Sequence, residues 1–172
     1  MNAISQSISD ESIVIALGSN LAGANGACEA LLDAALATFP AHGLTVTARS
    51  GWWRSAAWPD PAAPAYTTGV ALVATGLTPR ETLDALHAIE RAFGRERHEP
   101  NAARTLDLDL IAHGRLILDQ PSLHLPHPRA HERLFVMGPL AEIAPGWRHP
   151  VSGQTAMALA ATATVGRDAY LV

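Results

Sequence analysis

The chain has 172 residues, 48% of them hydrophobic and 16% charged, which fits one globular domain and excludes a disordered chain. A formal net charge of −4 excludes a surface that attracts nucleic acid as a whole, and apolar runs such as Ile13–Leu17 are too short to span a membrane. Cys28 is the single cysteine, which excludes an internal disulfide and fits a cytoplasmic setting.

Residues 1–11 are polar, Ser-rich and acidic, without the basic start or apolar centre of a signal peptide, and read as a disordered leader to a single folded domain over 12–172. Ser12–Gly18 is expected to form a buried strand ended by glycine. Cys28–Phe39 has helical spacing, and Pro40 and Gly43 end it. Leu44–Arg54 alternates and is rich in Thr, Val and Trp, which predicts a second strand. Ser55–Ala65 holds Pro59, Pro61 and Pro64 and reads as a loop, followed by a third strand over Tyr66–Thr75. Thr78-Pro79-Arg80-Glu81 is a capping box with proline at the first helical position, opening a helix that runs to about Phe93. Gly94–Ala103 is a polar, charged loop. Thr105–Ala112 is the fourth strand, expected to turn at His113-Gly114 into a short return strand, Arg115–Leu118. A Pro/His-rich segment, a short helix near His131–Ile143 and an Ala-rich helix after Gln154 complete the chain. The order β-α-β-β-α-β predicts an α+β, ferredoxin-like fold: an antiparallel sheet with two helices on one face. Such a fold hosts many functions, so the chemistry must be read from particular residues.

Arg104-Thr105-Leu106-Asp107-Leu108-Asp109-Leu110 is the most informative stretch. On a strand, Leu106, Leu108 and Leu110 share one face while Thr105, Asp107 and Asp109 share the other. Aspartate is depleted in strands, and neighbouring like charges repel. Two carboxylates about 7 Å apart, two residue rises along a strand, fit a hard divalent cation, Mg²⁺ above all, which takes one or two carboxylates plus substrate phosphate oxygens. The competing reading is a half-buried strand with an acidic solvent face.

All 12 basic residues are Arg, so a phosphate loop ending in Gly-Lys-Ser/Thr is excluded. Arg95 and Arg97 in the loop, with Arg104 beside the carboxylates, supply guanidinium forks that grip phosphate bidentately. Carboxylates for metal and arginines for phosphate are what phosphoryl or diphosphoryl transfer requires. His124, His127 and His131 are spaced closely enough to suggest zinc, but prolines interrupt them and no cysteine lies near, which favours phosphate contacts or surface histidines. Trp52, Trp53, Trp58, Tyr66 and Phe135 could sandwich a flat heterocycle. For Trp52 and Trp53 core packing is favoured, since adjacent strand residues face opposite ways.

Several segments, in order, carry a family resemblance: Ala16-Leu17-Gly18-Ser19-Asn20-Leu21, Trp53-Arg54-Ser55, Gly94-Arg95, Arg104–Leu110, Pro126-His127-Pro128-Arg129 and Arg133–Leu140. Over about Ile13–Pro150 the chain resembles the 6-hydroxymethyl-7,8-dihydropterin pyrophosphokinases of folate biosynthesis. The resemblance implies transfer of the β,γ-diphosphate of ATP to the pterin hydroxymethyl group, with AMP released and two Mg²⁺ ions held by Asp107 and Asp109. It implies catalytic contacts from Arg95, Arg97 and Arg104. His127 and Arg133 would touch nucleotide phosphate or ribose, with Glu90 and Ile111 near the nucleoside. Ser55, Ala56, Trp58, Tyr66, Thr68 and Phe135 would line the pterin slot, with Asn20 at its edge. ATP and the pterin are then the partners of a monomer that needs neither nucleic acid nor membrane.

Two departures from the family pattern stand out. Thr68 occupies a place where Asn is typical, and a hydroxyl cannot reproduce an amide's hydrogen-bonding fork. Against the family pattern, the stretch Pro100-Asn101-Ala102-Ala103 is a residue shorter and lacks a Trp. They leave a second reading, a catalytically weak pterin- or nucleotide-binding relative. An RNA-binding module on a similar frame would need exposed aromatics and a basic surface. A glycosidase carboxylate pair would not call for clustered arginines.

Overall fold

The alternation in Ile13-Val14-Ile15-Ala16-Leu17 sends apolar side chains to both sides of a strand, and both sides are buried. The computed structural model describes residues 10–20, 26–57, 60–94 and 106–172. In it strand β1 (Ile13–Ser19) is flanked by two antiparallel partners. The chain continues through β2 (Thr45–Arg49), β3 (Trp53–Ser55), β4 (Tyr66–Ala74) and β5 (Asp107–His113), and ends in β8 (Tyr170–Leu171). The sheet order is β5-β1-β4-β3-β8, with β2 also paired to β4. The ferredoxin-like expectation is met, with β8 added at one edge.

One face carries Ile13, Ile15, Leu17, Ala71, Val73, Leu106, Leu108 and Leu110, packed against α1 (Ala27–Thr38) and α2 (Pro79–Ala92). In α1 the buried residues Cys28, Leu32 and Ala35 fall at helical spacing, and a 3-10 turn over Phe39–His42, with Pro40 near its start, ends the helix. The capping box of α2 is present: the Glu81 N–H donates to Thr78 Oγ1 at 3.2 Å, and the Thr78 N–H donates to Glu81 Oε2 at 2.9 Å. The other face carries Val14, Ala16, Val70, Leu72, Ile111 and Ala112, beneath α3 (Leu134–Ile143) and α4 (Ala156–Thr162). Residues 136–140 of α3 are buried on every side, because α3 lies between the sheet and α4. The Ala-rich helix, α4, therefore docks inside the fold.

The predicted strand over Leu44–Arg54 is two strands, β2 and β3, with Ser50–Trp52 between them. Ser50 takes over the pairing there: its N–H donates to the Val70 carbonyl at 2.9 Å, and its Oγ accepts from the Val70 N–H at 3.0 Å. The break lets the tryptophans seat against glycines. A Cβ built at Gly69 would lie 2.6 Å from Trp52 Cζ3, and one at Gly138 would lie 2.7 Å from Trp53 Cη2. Trp52 joins the α1/α2 side, whereas Trp53 packs on α3, as opposite-facing neighbours must. Gly69→Ala is expected to cost about 1–2 kcal/mol by overpacking a buried indole, read as a lower denaturant midpoint; an unchanged midpoint would contradict this packing.

Two further expectations are corrected, and one irregularity is added. The return strand over Arg115–Leu118 does not pair with β5; instead β6 (Leu118–Gln120) and β7 (Leu123–Leu125) form a separate hairpin. Strand β5 does not keep its alternation to the end. A register shift opposite Val14/Ile15 brings both Ile111 and Ala112 to the α3/α4 side. Of the expected leader, Asp10 accepts a hydrogen bond from the Arg148 N–H at 3.1 Å, so order begins before residue 12; residues 1–9 lie outside the described residues. Among the described residues no helix is long and apolar enough to cross a membrane.

Candidate active site

Register brings the candidate residues to one end of the sheet. Asp107 lies opposite Gly18, Gly18 opposite Thr68, and Thr68 opposite Trp53. Asp109 stands one step further along β5, opposite Ala16. Cross-strand neighbours share a face, so both carboxylates look toward the α3/α4 side, while Leu106, Leu108 and Leu110 anchor the strand in the other core. Gly18 and Ala16 leave room beside the aspartates. Among the described residues, a Cβ at Gly18 would meet Thr68 Cγ2 at 3.7 Å and the Thr67 carbonyl at 3.9 Å.

Thr68 is 8% exposed, and its Oγ1 has no hydrogen-bond partner among the described residues. A buried hydroxyl left unsatisfied costs about 1–3 kcal/mol, and this one stands beside Gly18, which has no side chain to fill the space next to it. Ser55 pairs with Tyr66 at the same end, and Asn20 follows β1 there, buried. Phe135 is the second residue of α3, with the Arg133 guanidinium carbon 5.8 Å from its ring centre. Trp58, Arg95, Arg97 and Arg104 lie outside the described residues.

His127 reaches β5 from the hairpin side: its N–H donates to the Ile111 carbonyl at 2.8 Å. The Arg129 N–H donates to His127 Nδ1 at 3.2 Å, which leaves Nε2 to carry the proton of the neutral ring. Burial, then the charges of Arg133 and Arg129, hold its pKa below 6.5, and Asp107 opposes them in part. Ile111, His127 and Arg133 thus gather on the α3/α4 side of β5. Glu90 does not join them. It is buried on α2, which packs beside β5 from the other face, so a nucleoside could meet it only around the sheet's edge.

The zinc reading finds no support. His124 Nδ1 sits 2.8 Å from Asp119 Oδ1, the His131 ring lies edge-on to His149 at 5.6 Å, and His127 is engaged as above. Among the described residues no group of three or more His, Cys, Asp or Glu is placed to hold a metal. Two hard carboxylates with no third such ligand among the described residues would suit Mg²⁺, which keeps waters and takes substrate phosphate oxygens.

His149 also has its pKa lowered, by burial first and then by His131 and Arg115. Both histidines bind protons more weakly folded than unfolded. Their contribution to stability is therefore complete above pH 6.5 and lost as pH falls through the folded values. Denaturant midpoints are expected to drop between pH 7.5 and about 5 in this window, and less steeply in a His127→Gln, His149→Gln double variant. Equal slopes would contradict the assignment.

Three contacts near the site carried no local sequence signal. Glu142 on α3 accepts from the Trp53 Nε1–H at 2.9 Å and from the Gly51 N–H at 2.8 Å. Asp168 accepts from the Ala56 N–H at 2.6 Å. Each joins residues some 90 or more positions apart, which no periodicity encodes.

A family model described as 7,8-dihydro-6-hydroxymethylpterin-pyrophosphokinase (HPPK) matches residues 14–145. The chain is 41% identical over 142 residues to the 2-amino-4-hydroxy-6-hydroxymethyldihydropteridine pyrophosphokinase of Pseudomonas aeruginosa, covering 80% of this chain and 83% of that protein. To the Synechocystis sp. protein of the same name it is 47% identical over 117 residues, which are 68% of this chain and 60% of that one. It is 36% identical to the folic acid synthesis protein fol1 of Pneumocystis carinii, across 86% of this chain but only 19% of that much longer protein. The crystal structure of wild-type Plasmodium falciparum HPPK-DHPS with pteroate superposes with a TM-score of 0.67 at 11% identity, over 87% of this chain and 42% of that one, a likeness of fold. On the match over residues 14–145, and on the identity shared along most of the Pseudomonas protein, the chain belongs to the 7,8-dihydro-6-hydroxymethylpterin-pyrophosphokinase family.

Proposed function

We propose that this chain transfers the β,γ-diphosphate of ATP to the hydroxymethyl group of 6-hydroxymethyl-7,8-dihydropterin, one step of folate biosynthesis. The observation that carries the reading is the row Asp107–Gly18–Thr68, with Asp109 beside it: two carboxylates and an orphaned buried hydroxyl on one sheet face, separated by a residue without a side chain. Asp107 and Thr68 stand two strand spacings apart, about 10 Å, which suits a phosphate chain on one side and a bicyclic acceptor on the other.

In this reading the acceptor hydroxyl oxygen bonds to the β-phosphorus of ATP. The bond from that phosphorus to the α,β-bridging oxygen breaks, AMP departs with the bridging oxygen, and the hydroxyl proton is released. No protein nucleophile is required, so the chain contributes position and charge. Asp107 and Asp109 hold two Mg²⁺ ions, whose contribution is to neutralise the phosphates. Arg95, Arg97 and Arg104 grip the phosphates bidentately. His127 donates from Nε2 to nucleotide oxygens and Arg133 adds charge, with Ile111 and Glu90 toward the nucleoside. Ser55, Ala56, Trp58, Tyr66, Thr68 and Phe135 line the acceptor slot, and Asn20 borders it. We extend the proposal to a cytoplasmic setting, which the single cysteine favours, and to a monomeric enzyme.

The test is release of AMP from ATP, with and without the hydroxymethyldihydropterin and with and without Mg²⁺. AMP that requires both supports the reading. ADP as product, or release indifferent to the acceptor, would contradict it.

A further inference from the structure

The family match ends at residue 145, yet the chain beyond it folds back onto both walls assigned to the acceptor slot. The Thr164 and Val165 N–H groups donate to the Glu132 carbonyl at 3.0 and 2.9 Å, and the Leu134 N–H donates to the Val165 carbonyl at 2.9 Å. That ties the tail to the start of α3, where Arg133 and Phe135 stand. Gly166 follows at φ +70°, with its Cα so close to Phe135 that a Cβ there would overlap ring atom Cδ1. A turn closed by the Ala169 N–H donating to the Gly166 carbonyl at 2.9 Å then presents Asp168, whose Oδ2 accepts from the Ala56 N–H at 2.6 Å. Strand β8 pairs Tyr170 with Arg54 and Leu171 with Trp53, and the Val172 N–H donates to the Trp52 carbonyl at 2.9 Å.

One turn therefore touches Phe135 on one wall and Ala56 on the other. Ala56 is the first residue after β3, where the ladder to β4 has ended at Ser55–Tyr66. Its N–H has no strand carbonyl to meet, and a carboxylate supplies a charge-assisted acceptor instead. Ala56 is itself an acceptor-side residue, standing where the chain leaves β3, next to Ser55 and its partner Tyr66.

We propose that Asp168 is a positioning residue for the acceptor: it fixes the Ala56 amide, at the end of β3, in the position that receives the pterin. This rests on the acceptor slot assigned above. The physical effect is preorganisation. When the binding-competent conformation is only partly populated, apparent affinity falls by that fraction. Asp168 touches neither β5 nor the histidine segment in the contacts described, so its influence falls on the acceptor and not on ATP.

The experiment is steady-state kinetics on the whole chain, varying the hydroxymethyldihydropterin and ATP in turn, with melting curves alongside. Asp168→Ala is expected to raise the acceptor KM about three- to tenfold, the size of one lost hydrogen bond, with kcat and the ATP KM unchanged. Asp168→Asn keeps an acceptor oxygen and should restore most of the loss. Gly166→Ala, which pushes on Phe135, should raise the acceptor KM as well. An acceptor KM in Asp168→Ala equal to wild type would overturn the proposal, as would a parallel loss in kcat and ATP KM, which marks general loss of structure. A wild-type chain that does not turn over the pterin would instead overturn the slot assignment, and the tail's role with it.

Discussion

Asp107→Ala and Asp109→Ala are each expected to lower Mg²⁺-dependent AMP formation on the order of a thousandfold, the scale of removing a group that stabilises transition-state charge in a site. The fold should survive. Both side chains are half-buried on the α3/α4 side, whereas strand β5 is anchored through Leu106, Leu108 and Leu110 in the opposite core and through its ladder to β1. Asp→Asn at either position keeps size and one oxygen but loses charge, and should fall nearly as far. Circular dichroism and the denaturant midpoint separate lost chemistry from lost structure. Undiminished AMP release by either alanine variant would remove the metal-holding role from that residue.

Thr68→Val is expected to act with opposite signs on stability and on binding. In the chain alone, Thr68 Oγ1 is buried without a partner among the described residues, so replacing the hydroxyl by a methyl group removes a penalty and should raise stability by about 1 kcal/mol. If the hydroxyl serves the pterin, the same change removes a hydrogen bond that forms only in the complex. Acceptor affinity should then fall about 10- to 100-fold. Thr68→Asn is the complementary change. Gly18 leaves space beside Thr68 for the longer side chain, and an amide fork adds donors and an acceptor toward the ligand, so the acceptor should bind more tightly. A Val variant that is both less stable and equally tight would mean that Thr68 packs and does not recognise.

Where a local pattern met a local constraint, the sequence was informative. Leu106, Leu108 and Leu110 are buried together as their alternation requires, which leaves Asp107 and Asp109 on the other face. Thr78 and Glu81 form their reciprocal cap because both partners lie within one turn. The adjacent tryptophans separate to opposite faces for the same geometric reason, although the glycines that receive them, Gly69 and Gly138, come from distant segments.

Illegible features depended on pairings across the chain. The strand predicted over Leu44–Arg54 breaks because Ser50 can satisfy Val70 from its side chain, a contact 20 residues away. Strand β8 is two residues long, too short for any periodicity, and exists only because β3 offers an edge. The register shift that turns Ile111 toward α3 is set by β1, and Glu90's place on the far helix follows from which face α2 covers. The expected roles of Arg95, Arg97, Arg104 and Trp58 fall outside the described residues. The placement of the Asp pair was most legible, and the other end of its row least so, since that end is assembled from β3, β4, α3 and the tail.

In diphosphate transfer both terminal phosphates of ATP move together to the pterin. Parallel reactions with ATP labelled at the β- or at the γ-phosphate, each with the hydroxymethyldihydropterin and Mg²⁺, test it directly. Label from both positions should appear in the pterin product, with unlabelled AMP formed in equal amount. Label from the γ-position alone, with the β-label left in ADP, would contradict diphosphate transfer.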